Sequence, residues 1–365
     1  MTARGPDRGV LAWELTGYGG PEVLRLGTRP APRPGPRDVV IATRAVGLNP
    51  VDLLQRSGRF RFAHPARFPL VPGNECSGVV VALGSDVRSF AVGDAVFTRT
   101  SKTRLGTLAG QVVVEEDLVA PLPRSLDFVS AAAVPLAGTT ALQAVRDALE
   151  VRAEDRVLVT GGSGSVGMVA IQLAAHAGAT VTTTASATSE ALLRDLGAAT
   201  VIDYHVDAVG GERFDKVLDL VGDVAALADV VAPGGRLVTV SATPTPGSIR
   251  HDYPMAPWRA AVLETALRLA TLGPRRRARR GGYSYRFLSM RPDGGDLREL
   301  AALVDTGVLR VKIDSTYPFD RAADAFARVE SRRAKGKVVV PLRAVGGQGV
   351  PAGRLTRARG GDDPG

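Results

Sequence analysis

The chain has 365 residues, 45% of them hydrophobic and 23% charged, with a net charge of +9 at neutral pH. That length holds roughly two to three domains of about 100 to 200 residues, and the modest charge fraction excludes a disordered or fibrous chain. The single cysteine, Cys76, excludes an internal disulfide, a four-cysteine zinc lobe and a cysteine-ligated iron–sulfur cluster.

The N-terminus carries charges but no apolar stretch of signal-peptide length, and no window reaches about 18 uninterrupted apolar residues. A cytoplasmic location is expected. Only 5 of the 46 basic residues are Lys, and the Arg are scattered apart from PRRRARR at 274–280. That spread does not form a nucleic-acid footprint, so no nucleic-acid partner is expected. A dinucleotide phosphate still suits a basic protein.

From Val39 to Pro121, β-rich segments (VVIATRAVGL, SGVVVALG, DAVFTRT, GQVVVEEDLVAPL) alternate with Gly, Pro and Asp turns, which predicts an antiparallel, barrel-like region. Near Ser130 the pattern turns helical, SAAAVPLAGTTALQAVRDAL. From Asp155 it alternates: strand RVLVT, turn GGSGSVG, helix MVAIQLAAHAG, strand TVTTTAS, helix SEALLRDLG, strands ATVIDY and KVLDLVG, helix VAALADVV, strand GRLVTVSA. Such alternation predicts right-handed βαβ crossovers in a parallel sheet. YSYRFLSM (283–290) would extend that sheet. Helix DLRELAALVDTG, strand LRVKIDSTYPF, helix DRAADAFARVES and strand GKVVVPL then read as a return to the first domain. The tail after Ala344 is rich in Gly and Arg without periodicity, and disorder is expected there.

Gly162, Ser163, Gly164, Ser165, Val166 and Gly167 have the G-x-G-x-x-G spacing, directly after strand RVLVT and opening a helix. The first Gly permits a tight turn, the second lets backbone approach a pyrophosphate, and the third allows close helix–strand packing. The helix N-terminus offers free N–H groups to the phosphates. A dinucleotide is therefore the expected cofactor. An NAD site places Asp or Glu at the end of the second strand, about 20 residues on. Here that stretch is Thr184 to Ser189 with no acid before Glu190, so NADP(H) is favoured. Ser189 also reads as the N-cap of helix SEALLRDLG.

With this motif mid-chain and a β-rich region before it, the chain resembles the medium-chain dehydrogenase/reductase superfamily, in its zinc-independent, quinone oxidoreductase-like branch. The resemblance covers roughly residues 10–343 through GYGGPEVL, AVGLNPVDLLQRSGRF, FPLVPGNECSGVVVALGSDVRSFAVGDAVF, AAAVPLAGTTALQAV, VLVTGGSGSVGMVAIQLA, LGAATVIDY and KGKVVV. GTLAGQVVV, YSYRF, ALVDTGVLR and TYPFDRAADAF look closest to the mitochondrial reticulon-interacting oxidoreductase subgroup and its bacterial relatives. It implies an α/β fold with a GroES-like β-rich catalytic domain (1–137), a doubly wound Rossmann domain (138–290), a C-terminal return (291–343) and a tail (344–365). A homodimer joined at the last Rossmann strand is implied as well.

Zinc alcohol dehydrogenases of this superfamily carry G-H-E-x-x-G; here the segment is Gly73-Asn74-Glu75-Cys76-Ser77-Gly78, and the other ligand positions look like Asn49 and Leu136. Three positions without thiolate or imidazole cannot hold tetrahedral Zn²⁺, so no metal is expected. Alcohol oxidation benefits from a Lewis acid, whereas a quinone or enone is already electrophilic. A small electrophilic substrate taking hydride is thus expected. The resemblance places Asn49 at the nicotinamide end of the cleft as a polar contact for the acceptor, with Asp52 and Thr140 as further catalytic candidates. It places Ser186, Ser189, Tyr204 and Lys337 at the adenosine phosphate, Val221 and Ser241 along the cofactor, and Phe287 to Ser289 at the carboxamide. Arg333 is a second candidate for the phosphate.

The competing enzyme reading is an enoyl-thioester reductase. Mitochondrial-type members place a proton-donating Tyr two residues after a Gly in the loop following the N-P-x-D-like motif, where this chain has Phe60 after Gly58. A non-catalytic, NADPH-binding redox sensor is the alternative from another class. Residues 255–280, an apolar helix followed by the Arg cluster, also read as a weak membrane-surface contact or as a cover for the cleft.

Overall fold

The computed structural model describes residues 9–249 and 252–342. His251 and the tail 344–365, expected to be disordered, lie outside the described residues. Hairpin β1 (Val10–Leu15) and β2 (Leu24–Arg29) opens the chain, and β3 (Asp38–Leu48) follows. Helix α1 (Pro50–Arg56) begins at once, with Pro50 in its first turn where no backbone donor is needed. Strands β4 (Glu75–Leu83), β5 (Ala95–Arg99), β6 (Gln111–Glu115) and β7 (Val119–Pro121) complete the antiparallel part. The single helix expected near Ser130 is broken into α2 (Phe128–Ala131), α3 (Pro135–Leu142) and a π-helical turn over Gln143–Ala148. Pro135 has no N–H for the preceding turn, so the helix restarts there.

The Rossmann part begins with β8 (Arg156–Val159), α4 (Ser165–His176), β9 (Thr180–Ala185), α5 (Glu190–Asp195) and β10 (Thr200–Asp203). Next come β11 (Phe214–Asp219), α6 (Val224–Leu227) and β12 (Val231–Thr239). The helix expected over VAALADVV is only one turn, because Val231 already pairs with Phe214 in the sheet. Two helices, α7 (Pro257–Ala270) and α8 (Leu272–Gly281), precede β13 (Ser284–Phe287). The sheet runs β10-β9-β8-β11-β12-β13, every pairing parallel, so the strand order reverses between β8 and β11. In such sheets the crevice beyond the strand carboxyl ends at the reversal receives ligands.

After α9 (Gly294–Asp305), β14 (Ile313–Thr316), α10 (Ala322–Glu330) and β15 (Lys337–Pro341) rejoin the first sheet, β15 lying antiparallel to β3. One core is centred on Val39, Ile41, Phe326 and Val338, the other on Val159, Ile171, Leu193 and Leu218. A β-bridge between Gly164 and Gly336 ties the glycine-rich turn to the returning strand. The joint between the two parts thus lies at the cofactor turn.

Candidate active site

The three glycines of the motif stand in different surroundings. A Cβ on Gly162 would lie 2.1 Å from Thr183 Oγ1, and one on Gly167 would lie 2.6 Å from the Gly161 carbonyl, so both positions are filled by packing. A Cβ on Gly164 would meet only the Gly161 oxygen, at 3.4 Å. Space is therefore kept open beside the turn where α4 presents its unbonded first-turn N–H groups, with no side-chain cap at Gly164. Gly161 N–H donates to Thr184 Oγ1 at 3.0 Å and Gly162 N–H to the Thr184 carbonyl at 2.9 Å, which fixes the turn against β9. Ser163, Ser165 and Val166 form its half-buried rim. The cradle fits a pyrophosphate.

Along the crevice, Asp219 shapes the ends of β11 and β12. Its Oδ1 accepts from Thr160 Oγ1 and from the N–H groups of Val221 and Gly222, and its Oδ2 from Thr239 Oγ1. Val221 is left exposed, and Ser241 Oγ donates to the Leu220 carbonyl at 2.8 Å. Phe287 N–H donates to Thr245 Oγ1 at 3.3 Å, while Leu288 N–H holds the Thr239 carbonyl.

At the adenosine end, Ser186 and Thr188 hydroxyls lie 3.1 Å apart and Tyr204 is exposed against His205. Two expectations are corrected there. Ser189 is at the N-terminus of α5, but its hydroxyl is buried without a partner, so it neither caps the helix nor faces a phosphate. Lys337 is not near this end at all. The lysine that reaches it is Lys335, whose Nζ donates to Thr188 Oγ1. Lys335 sits in the turn before β15, and the strand's pairing with β3 sends Lys337 inward instead.

Lys337 enters a buried polar cluster at the head of α1. Its Nζ donates to Glu75 Oε1 at 2.7 Å and to Asn49 Oδ1 at 2.6 Å, with Glu75 0% and Lys337 1% exposed. Glu75 also accepts from Asn49 Nδ2 at 2.6 Å and from the Leu136 N–H at 2.6 Å. The remaining Asn49 donor faces the Gly47 carbonyl at 3.4 Å. Asn49 is thus engaged on every side, which corrects its expected role as a free polar contact for the acceptor. Asp52 Oδ2 accepts the Asn49 N–H at 2.8 Å and Oδ1 accepts Asn74 Nδ2 at 2.6 Å, so this carboxylate holds the loop. Burial pushes Asp52 up to about 6, against the opposing pull of the Asn74 and Asn49 hydrogen bonds. Thr140 Oγ1 donates back to the Leu136 carbonyl at 2.7 Å, leaving its lone pairs to accept. Cys76 is buried in β4, and burial pushes its thiol up, so it is inert.

Sequence reasoning passed over two groups here. Arg99 is buried at the end of β5, where its Nη1 donates to the Thr100 carbonyl and, at 3.4 Å, to the Asn74 carbonyl. Lys102 bridges the domains, with Nζ 2.7 Å from both Asp252 Oδ2 and Ser289 Oγ, and Ser289 in turn donates to Asp252. The Ser289 hydroxyl is therefore tied up in this clasp. A Lys and an Arg among 46 scattered cations carry no spacing signal.

Two family models match: "Alcohol dehydrogenase GroES-like domain" over residues 35–124 and "Zinc-binding dehydrogenase" over residues 196–340. The mitochondrial NAD(P)H oxidoreductase RTN4IP1 of Danio rerio is 33% identical, covering 91% of each chain. The chain belongs to the medium-chain dehydrogenase/reductase family. Another relative of this reductase is the chloroplastic NADPH-dependent alkenal/one oxidoreductase of Arabidopsis thaliana, 33% identical over 91% of this chain and 79% of that one. The quinone oxidoreductase structure from Coxiella burnetii superposes with a TM-score of 0.78 at 29% identity, over 92% of this chain and all of that one.

Proposed function

We propose that this chain is an NADPH-dependent oxidoreductase that passes hydride to a quinone or another conjugated carbonyl without zinc. The observation that carries the reading is the open space kept beside Gly164 combined with Ser186, Thr188, Tyr204 and Lys335 at the adenosine end, which suit a 2′-phosphate. The chain at the end of β9, Ala185 to Ser189, carries no acid of its own, and the nearby Asp203 of β10 is engaged by the N–H groups of Ala187 and His205. Bound there, NADPH supplies the hydride from its dihydronicotinamide. The relatives named for NAD(P)H and NADPH support the same cofactor. The zinc-free reading is supported by donor chemistry: Asn49, Asn74 and Leu136 occupy the ligand positions, and Lys337 bonds the Asn49 oxygen. Among the described residues no three His, Cys, Asp or Glu side chains cluster as a metal site would need.

The decisive experiment is the loss of NADPH absorbance with EDTA-treated protein, comparing 1,4-benzoquinone, 2-cyclohexen-1-one and an enoyl thioester. Turnover with the first two that survives EDTA is expected. Preference for the thioester would favour the enoyl reductase reading, and tight NADPH binding without any turnover would favour the redox sensor.

A membrane-surface contact is a second part of the proposal. Trp258 and Leu269 on α7 are 62% and 70% exposed and share one helical face with exposed Val262, and Leu272 at the start of α8 is exposed beside them in sequence. Arg275, Arg276, Arg277, Arg279 and Arg280 are exposed on the adjoining α8. Apolar side chains beside a cationic cluster suit an anionic bilayer surface. Co-sedimentation with phosphatidylserine vesicles is expected and should be lost when the five Arg are replaced by Ser; unchanged binding refutes the contact. No described helix is long and apolar enough to cross a membrane, and a cytoplasmic location goes with this proposal. Among the described residues β13 pairs with β12 alone, which leaves an open sheet edge through which two copies would join. A single-chain mass in light scattering would end that idea.

A further inference from the structure

Strand register carries a cation into the interior of the catalytic side. β5 pairs with β4 so that Arg99 lies opposite Glu75, and Arg99 is only 3% exposed. Its Nη1 is tied down: it donates to the Thr100 carbonyl and, at 3.4 Å, to the Asn74 carbonyl, with Thr100 Oγ1 at 3.5 Å. The other edge of the guanidinium is free. Nε is sealed without a partner, and Nη2 makes no hydrogen bond among the described residues although it is not sealed. The Nε–H and the Nη2 N–H beside it point the same way, as the two prongs with which an arginine grips a carboxylate.

No carboxylate of the described residues fills that fork. Glu75 is held by Lys337, Asn49 and Leu136, Asp52 by Asn49 and Asn74, and Asp252 by Lys102 and Ser289. Burial pushes Arg99 down to about 10, against the opposing charges of Glu75 and Asp52, so it stays a cation at neutral pH. Buried polar groups generally have hydrogen-bond partners, and buried charges are paired. The free edge of Arg99 therefore lacks two acceptor oxygens.

Its position says which molecule would bring them. Asn74, whose carbonyl holds Nη1, stands at one of the three positions that correspond to zinc ligands, so Arg99 lies at the hydride-transfer end of the crevice. Asp252 and Tyr253, which also act on the Arg99 charge, come from the segment between β12 and α7, and Tyr253 stacks on Phe60 across the joint with centroids 6.1 Å apart. The cofactor phosphates belong at the Gly164 turn and the adenosine end. The fork is left to the acceptor.

We propose that the free edge of Arg99 binds a carboxylate on the acceptor, so that the preferred substrates are conjugated carbonyl compounds bearing an acid group. The inference rests on the proposed hydride transfer and names its substrate class. The acid group takes no part in the transfer, so its binding belongs in KM and not in kcat.

The probes are (E)-4-oxopent-2-enoate and its methyl ester, which share the conjugated carbonyl and differ in charge. The acid is expected to have the lower KM. In Arg99→Met the ratio of its KM to that of the ester should rise on the order of thirtyfold, the size of a charge-assisted hydrogen-bond pair, while the ratio of the kcat values holds. Arg99→Lys keeps the charge without the fork and should fall between the two. Calorimetric titration of the unsubstituted, NADP⁺-loaded protein asks the same question without any change to a buried residue: 4-oxopentanoate should bind roughly tenfold more tightly than its methyl ester. An unmoved KM ratio in Arg99→Met, or equal affinity for acid and ester, would overturn the assignment. A protein that binds 4-oxopentanoate in this way yet reduces neither enone would keep the carboxylate site and strike the proposed function instead.

Discussion

Replacing Lys337 with Met is expected to lower stability by about 3–5 kcal/mol, read as a drop in the midpoint of urea unfolding. The reason is what the change leaves behind. Glu75 has no exposure, and its carboxylate would keep only the Asn49 and Leu136 donors once the ammonium is gone. A buried charge without its counter-ion is the costly state, whereas a neutral pair of similar shape often costs little. Glu75→Gln combined with Lys337→Met should therefore recover most of the loss, since the Gln oxygen in the Oε2 position still accepts from the Leu136 N–H and the Gln NH2 in the Oε1 position can donate to the Asn49 oxygen that Lys337 no longer holds. If the double variant is no more stable than Lys337→Met alone, the ion pair is not what holds this region. The same variant separates two assignments of the lysines, because a Lys337 that held the adenosine phosphate would change NADPH affinity and leave stability alone.

That cluster also shows which parts of the site the sequence could reveal. The glycine turn was legible because its signal is local: strand, turn and helix lie within some 20 consecutive residues, and Gly167 packs on Gly161 and Gly162 of the same stretch. The parallel sheet was legible for the same reason, through the alternation of short apolar strands with helices. The choice between Lys335 and Lys337 was not. It depends on the register of β15, which is set by pairing with β3 nearly 300 positions away, and a residue in a strand faces inward or outward according to that register. Glu75 lies in the Gly73 to Gly78 segment beside Asn74, and nothing local marks it. Its importance comes from the partners that Asn49, Leu136 and Lys337 bring from three other elements. Tyr253 and Lys102 lie in loops without periodicity, and only the docking of the two domains places them beside Phe60 and Ser289.

Gly164→Val is expected to weaken NADPH binding on the order of a hundredfold, equivalent to about 2.7 kcal/mol, with the unfolding midpoint unchanged. Two facts make stability and binding separable at this one position. Its backbone, at φ −77° and ψ 162°, is one that any residue adopts, and its added Cβ would touch nothing closer than the Gly161 oxygen at 3.4 Å. The branched side chain would then occupy the opening that the turn keeps for a pyrophosphate, holding it off the α4 N–H groups. Gly167→Val offers the contrast. Its Cβ would press on backbone atoms of Gly161 and Gly162 at 2.6 to 2.9 Å, so the turn itself would have to move and stability should fall together with binding. Isothermal titration with NADPH, paired with thermal unfolding of the cofactor-free protein, reads both quantities. Full affinity in Gly164→Val would mean that the phosphates do not lie on this turn, and the proposed cofactor site would fall with it.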